Sequence, residues 1–235
     1  MKGDVLILDV TAMSGQHVCV AGIDLKTRQQ VRLASPQPTR TTIRTLGDLA
    51  PGDVLSVEWK AERPVTRPHV EDCRWDRNAA RKTGQMQFEE IISLLDRLAF
   101  DSIEEAFGPP WFEGYSGNHA WHPAQGQRPL ATVRTKSVNI KEDADDRIRV
   151  DLEDASGRRW CSIPLQDLQT KLHRVSCADC QTNYVANVRR AFEGSALVRV
   201  GLTRPYVHPD QPVACWLQVT NVFARPRRHF QTLAP

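Results

Sequence analysis

Three clusters in the sequence carry side chains able to do chemistry. His173-x3-Cys177-x2-Cys180 has the spacing of a partial zinc site, two thiolates and one imidazole. A fourth ligand is not local and would have to be Cys161, Cys215 or His208. A second C-x2-C is missing and no thioredoxin-like βαβ pattern surrounds the first, so reduced, metal-free cysteines are expected. His69-x-Glu71-Asp72-Cys73 gathers a base, two acids and a thiol, a set able to bind metal or move protons. Without a partner cluster of matching spacing it reads as a polar turn pinning a barrel end to a helix. Gly114-Tyr115-Ser116-Gly117-Asn118-His119 lacks the G-x-S-x-G of a nucleophile elbow, and no phosphate loop, G-x-G-x-x-G or H-E-x-x-H occurs. The residues call for no cofactor, and the expectation is a protein that is not an enzyme.

The other constellation is one of binding. Arg134, Lys136, Arg149, Arg158, Arg159, Trp160, Arg199, Arg204, Tyr206, Trp216 and Phe223 interleave cations with aromatic rings in the second half of the chain. A groove that binds single-stranded nucleic acid needs cations for phosphates and ring faces for bases, and stacking contributes roughly 1–3 kcal/mol per base. Of these, Arg134, Lys136, Arg149, Arg159, Trp160, Arg199, Arg204 and Tyr206 are the expected contacts. Arg225 and Arg227 of a basic tail join them as sequence-independent phosphate ligands. Trp216 lies within an otherwise apolar strand and is expected in the core.

Charge distribution agrees with that placement. The net charge is +3, but residues 1–125 hold 14 Lys/Arg against 17 Asp/Glu, and residues 126–235 hold 17 against 11. From Gln181 onward seven arginines face two acids. A basic C-terminal half on a weakly acidic N-terminal half points to a polyanionic partner for the former. The 235 residues, 40% hydrophobic and 25% charged, fit one large or two ordinary globular domains. Apolar runs such as Val5-Leu6-Ile7-Leu8 fall far short of the roughly 20 residues that span a bilayer. The start, Met1-Lys2-Gly3-Asp4, has an acid where a signal peptide needs apolar residues, so a cytoplasmic chain is expected.

Strand alternation predicts the elements that must carry these groups. Residues 4–10, 17–24 and 30–33 read as a meander, and 54–59 as a further strand, with another over 65–70. Five short strands in so few residues predict a small β-barrel over 1–85. Apolar residues at three- and four-residue spacing predict a helix over 87–100, and Ser102 caps a shorter one that Gly108-Pro109-Pro110 terminates. Residues 111–128, with no periodicity, are expected as a linker or a long ordered loop, which makes 86–128 a helical joining segment. Strands over 131–140, 147–152, 158–163, 196–202 and 215–223, with a helix over 165–173, predict a second barrel within 129–235. The order strand, strand, strand, helix, strand, strand is that of an OB-fold. The fold class is therefore mainly β, two OB-like five-stranded barrels.

Several short motifs resemble a known family. Cys19-Val20-Ala21-Gly22-Ile23-Asp24 with Val31-Arg32-Leu33, the stretch 49–57 and Pro68-His69-Val70-Glu71-Asp72 are similar to the bacterial dual-OB-domain family. So are Val198-Arg199-Val200-Gly201-Leu202-Thr203-Arg204-Pro205 and Cys215-Trp216-Leu217-Gln218-Val219. Where that family has a tryptophan after the first hairpin turn, this chain has Gln29-Gln30. The resemblance implies a nucleic-acid-binding module of bacterial defence or nucleic-acid processing. With the cation–ring set and the missing enzyme motifs, the expectation is a non-catalytic module for single-stranded DNA or RNA, with a co-encoded protein as a further partner and no membrane. Competing readings are a nucleotide or small-ligand sensor using the cleft between the barrels, and a protein-interaction scaffold.

Overall fold

The computed structural model describes residues 1–13, 17–33, 47–62, 67–76, 78–113, 119–124, 126, 128–145, 147–167, 194–207 and 212–224. Six strands form the first sheet: β1 (Lys2–Ala12), β2 (Val18–Asp24), β3 (Gln30–Leu33), β4 (Asp53–Ala61), β5 (Asp72–Trp75) and β6 (Arg81–Gln85). Alternation sends Val5, Ile7, Val20, Val31, Leu33, Leu55, Val57, Trp59, Cys73 and Trp75 into one core. The β1–β4 pairing and the parallel β3–β5 pairing close the ring β1-β2-β3-β5-β4, the Greek-key order of an OB-fold. Strand β6 lies outside the ring, added to the free side of β4.

Two helices follow, α1 (Phe88–Leu98) and α2 (Ile103–Phe107). The first begins where the Glu90 side chain accepts from the Gln87 amide at 3.3 Å, and Ser102 caps the second by accepting from the Glu105 amide at 3.0 Å. The second sheet comprises β7 (Phe112–Glu113), β8 (His119–Trp121), β9 (Leu130–Glu142), β10 (Ile148–Asp154), β11 (Arg159–Pro164), β12 (Ala196–Leu202) and β13 (Cys215–Ala224). Its order, β11-β10-β9-β12-β13-β8-β7, repeats the OB connectivity and adds β8 and β7 beyond β13. This barrel closes more loosely, through a parallel bridge between Leu165 and Val219 and a 2.9 Å bond from the Gln166 amide to the Val219 carbonyl.

Three expectations change. Residues 67–70 are a turn rather than a strand, since Pro68 has no amide to donate; residues 65 and 66 lie outside the described residues. The strands actually present, β5 and β6, carry little signal: β5 is four residues long and β6 is exposed throughout. Residues 165–167, expected to begin a helix, instead bridge Val219 and Thr11, because barrel closure takes their backbone; the rest of that helix lies outside the described residues. The expected linker over 111–128 contributes β7 and β8 to the second sheet.

The barrels pack through β1 of the first and β13 of the second, with Arg199 of β12 reaching across to Asp9. Residues 5–10 of β1 and all of β12 are buried on both faces. Leu6, Leu8 and Ile23 point out of barrel 1 and meet Ile91, Ile92, Leu94 and Leu95 of α1, with Leu197 and Phe223 of barrel 2. That one cluster joins barrel, helix and barrel.

Gly22 lies opposite the β1 bulge between Ile7 and Asp9, where the strands approach so closely that a Cβ would sit 1.9 Å from the Leu6 carbonyl oxygen. Gly22→Ala is expected to lower stability by about 2 kcal/mol or more. Gly84→Ala, where a Cβ meets nothing within 4 Å, serves as the control and should shift the unfolding midpoint little. Equal thermal unfolding of the two variants would contradict this packing.

Candidate nucleic-acid interface

The cations singled out by sequence occupy three different environments. Arg199 and Trp160 are wholly buried and are removed from any exposed binding set. Arg199 donates from Nε and Nη2 to the Asp9 carboxylate, at 2.6 Å for the shortest contact, and from Nη1 to Thr132 Oγ1 at 3.1 Å. Thr220 Oγ1 donates to the same carboxylate at 2.7 Å. The arginine that sequence assigns to a phosphate thus ties β12 to β1 across the barrel contact. Trp160 donates from Nε1 to Asp154 Oδ2 at 2.8 Å, and the Arg158 guanidinium lies 4.4 Å from its ring centroid. Its faces are spent inside barrel 2, where His119 and Trp121 also flank it. Phe223 and Trp216 are buried as well, the latter as expected.

Arg134 has a positioning role. Its guanidinium pairs with Asp96 at 3.0 Å and Asp101 at 2.8 Å, and donates to the carbonyls of Asp96 and Ala99. Those carbonyls lie at the C-terminal end of α1, where Asp96 also accepts from the Ala99 amide at 3.4 Å, so Arg134 adds a side-chain cap to α1 from β9.

The remaining groups do share a surface. On an OB barrel the ligand face lies over its second and third strands, between the first–second and fourth–fifth strand loops. In barrel 2 those strands are β10 and β11, and their outward positions are Arg149, Asp151, Glu153, Arg159 and Cys161, with Ser137, Asn139 and Lys141 beside them on β9. Arg159 is the most open, its side chain 81% exposed and 3.2 Å from Glu153. Lys141 pairs with Asp151 at 2.6 Å and Arg149 with Asp143 at 2.7 Å. Hydrogen bonding to Arg149 is the main reason the Asp143 carboxyl titrates below its ordinary value. Lys136 is exposed at the β10–β11 hairpin end, near Gly157. Lys141 was not foreseen; its place beside Arg149 follows from the β9–β10 register.

Arg204 and Tyr206 stand in the loop between β12 and β13. Arg204 Nη2 lies 2.5 Å from Asp72 and 3.8 Å from Glu62, with 55% of the side chain exposed. Asp72 is also gripped by Arg32 through both carboxylate oxygens. Arg204 can therefore turn to a phosphate without leaving Asp72 unpaired. Tyr206 is an exposed aromatic with its ring 6.1 Å from Trp216. Arg225, Arg227, His173, Cys177 and Cys180 lie outside the described residues. Among the described residues no group of His, Cys, Asp and Glu could hold a metal ion, and no helix is long and apolar enough to cross a membrane.

The His69–Cys73 turn pins the two barrels together rather than a barrel to a helix. His69 Nε2 donates to the Thr203 carbonyl at 3.1 Å, beside the Asp72–Arg204 contact. Burial, then the charge of Arg32, pushes the His69 imidazole down to about 4. Burial pushes the Glu71 carboxyl up to about 7 against the pull of Arg199, Arg128 and Arg32.

Two small barrels of OB connectivity, packed strand to strand with one ligand face open, define a tandem OB-fold protein. A family model described as dual OB-containing domain matches residues 4–222, and the chain belongs to that family. No curated protein and no solved structure matches it.

Two predictions follow from the buried charges. Arg199→Met alone leaves Asp9 buried without its counter-charge and should cost about 3–5 kcal/mol in chemical denaturation. Adding Asp9→Leu should recover most of that loss, and failure to recover any would contradict the pairing. Glu71 keeps a proton in the folded chain that the unfolded chain releases near pH 4.3, so its contribution is lost as pH rises toward about 7. His69 acts oppositely, losing stability as pH falls from about 6.5 toward about 4. Glu71→Gln should therefore raise the Tm more at about pH 8 than at about pH 5, by the equivalent of roughly 1–3 kcal/mol. An equal gain at both values would refute the assignment.

Proposed function

We propose that this chain is a non-catalytic, cytoplasmic module that binds single-stranded DNA or RNA in a bacterial defence or nucleic-acid-processing system. One observation carries the reading: the β10–β11 face of barrel 2 is open and bears Lys141, Arg149 and Arg159, with Arg204 and Tyr206 in the bordering loop. An OB barrel uses this combination, cations along the strands and an aromatic ring at the loop, to track a backbone and stack a base. Each cation has a carboxylate neighbour, so an incoming phosphate exchanges one ion pair for another in water. The exposed Arg159–Glu153 pair is worth little, about 0–1 kcal/mol, and opposes the exchange least, whereas Arg149 is held more closely against Asp143.

The seam between the barrels supports a second reading, a nucleotide or small polar ligand. His69 Nδ1, Glu71 Oε2 and Arg128 Nε are buried there without hydrogen-bond partners among the described residues. Unsatisfied buried polar atoms are uncommon and mark places where a ligand or water fits.

Fluorescence anisotropy with labelled oligonucleotides at stepped salt separates the two. Arg159→Ala and Arg204→Ala should each weaken binding and flatten the dependence on log salt by roughly 0.7–1 per contact, with little change in Tm. Parent-like binding by both variants would move the site elsewhere. A parent that binds mononucleotides but no oligonucleotide at low salt favours the seam.

A further inference from the structure

The two barrels repeat one connectivity, but their ligand faces are not equivalent. On barrel 1 the outward positions of β2 and β3 are Cys19, Ala21, Ile23, Gln30 and Arg32. Ala21 is 2% exposed, Ile23 1% and Arg32 8%. The same positions on barrel 2 include Arg159 at 81% side-chain exposure and an exposed Cys161. What covers the barrel 1 face is part of this chain. Ile23 packs with Leu6 and Leu8 under α1 and against Leu197 and Phe223. Arg32 is held by Asp72, which Arg204 of barrel 2 also engages. Asn221 donates to the Leu8 carbonyl at 2.8 Å, and the Ala12 amide to the Gln166 carbonyl at 3.0 Å.

Opening that face for a ligand would break these contacts together with the Asp9–Arg199 pair, whose members are buried and fully hydrogen-bonded. Charges separated in this way would be left without partners in the interior, at a cost of several kcal/mol. A flexible backbone bound through exposed ion pairs does not supply that.

We propose that a bound single strand occupies barrel 2 alone, so that the chain has the footprint of one OB-fold and not two; this rests on the nucleic-acid reading above. Barrel 1 serves as the buttress. Its His69 contact with Thr203 fixes the root of the β12–β13 loop, which presents Arg204 and Tyr206 to the strand.

Photo-crosslinking of the full chain to thiothymidine-substituted oligonucleotides, mapped by mass spectrometry, tests this directly. Crosslinks are expected on β10, β11 and the β12–β13 loop. Binding strength should level off by about 16 nucleotides, the upper range for one OB-fold. Crosslinks on β2 or β3 overturn the proposal. So does affinity that keeps rising from about 16 to about 32 nucleotides with a single chain bound. Arg159→Gln should weaken binding about threefold to tenfold, while Lys60→Gln and Arg81→Gln on exposed parts of barrel 1 should leave it unchanged. A loss with the barrel 1 variants as large as that with Arg159→Gln also overturns it. Binding at no length and at no salt rejects the nucleic-acid reading itself, and the single-barrel footprint with it.

Discussion

One buried ion pair sets the relation of the two barrels. Asp9 sits in a run, residues 5–10 of β1, otherwise made of valine, leucine and isoleucine, and Arg199 on a strand made of alanine, valine, leucine and glycine. Neither charge is tolerable in such surroundings alone. Together, with Thr132 and Thr220 taking up remaining hydrogen-bonding capacity, they form a polar island inside an apolar contact. An apolar contact by itself is non-directional and permits sliding, whereas an arginine fork on a carboxylate fixes distance and angle. The placement of β1 against barrel 2 therefore follows from the pair, and the surrounding leucines and α1 supply the burial.

From that constraint the division of labour unfolds. Fixing β1 against barrel 2 brings the outward side of β1 and β2 under α1 and barrel 2. The duplicated fold thus has one face committed inward and one left outward. Arg134, which caps α1 from β9, and Asp154, which binds Trp160 and the start of α2, hold the helices at the joint. Duplicated barrels are easily pictured as two beads each taking its share of a strand, but here one of them is spent on holding the other.

The fold was legible because strands such as β4 and β10 alternate while β1 and β12 are apolar runs, and β3 and β12 begin and end where those patterns do. Strand β6, Arg-Lys-Thr-Gly-Gln, had no apolar residue to betray it, since it is an edge strand exposed throughout. The short β5 was masked by the charges around Cys73 and Trp75. At the site, residue type foretold cation and ring but not the side on which each would lie. Arg199 and Arg204 look alike in sequence, yet one is sealed against Asp9 and the other is half in water. The difference lies in a partner 190 residues away, which no local spacing encodes. The aspartates on β1 and β5 were the available clue, each a charge set in or beside an apolar strand.

That long reach has a consequence for synthesis. Asp9 leaves the ribosome 190 residues ahead of Arg199. At about 5–20 residues per second the wait is roughly 10–40 s, far longer than a small barrel needs to collapse. Barrel 1 thus spends the interval with a lone carboxylate turned outward. During translation this half-made chain has its greatest need of a chaperone, and the polar, well-charged β6 along its open edge helps keep neighbouring nascent chains from pairing with it.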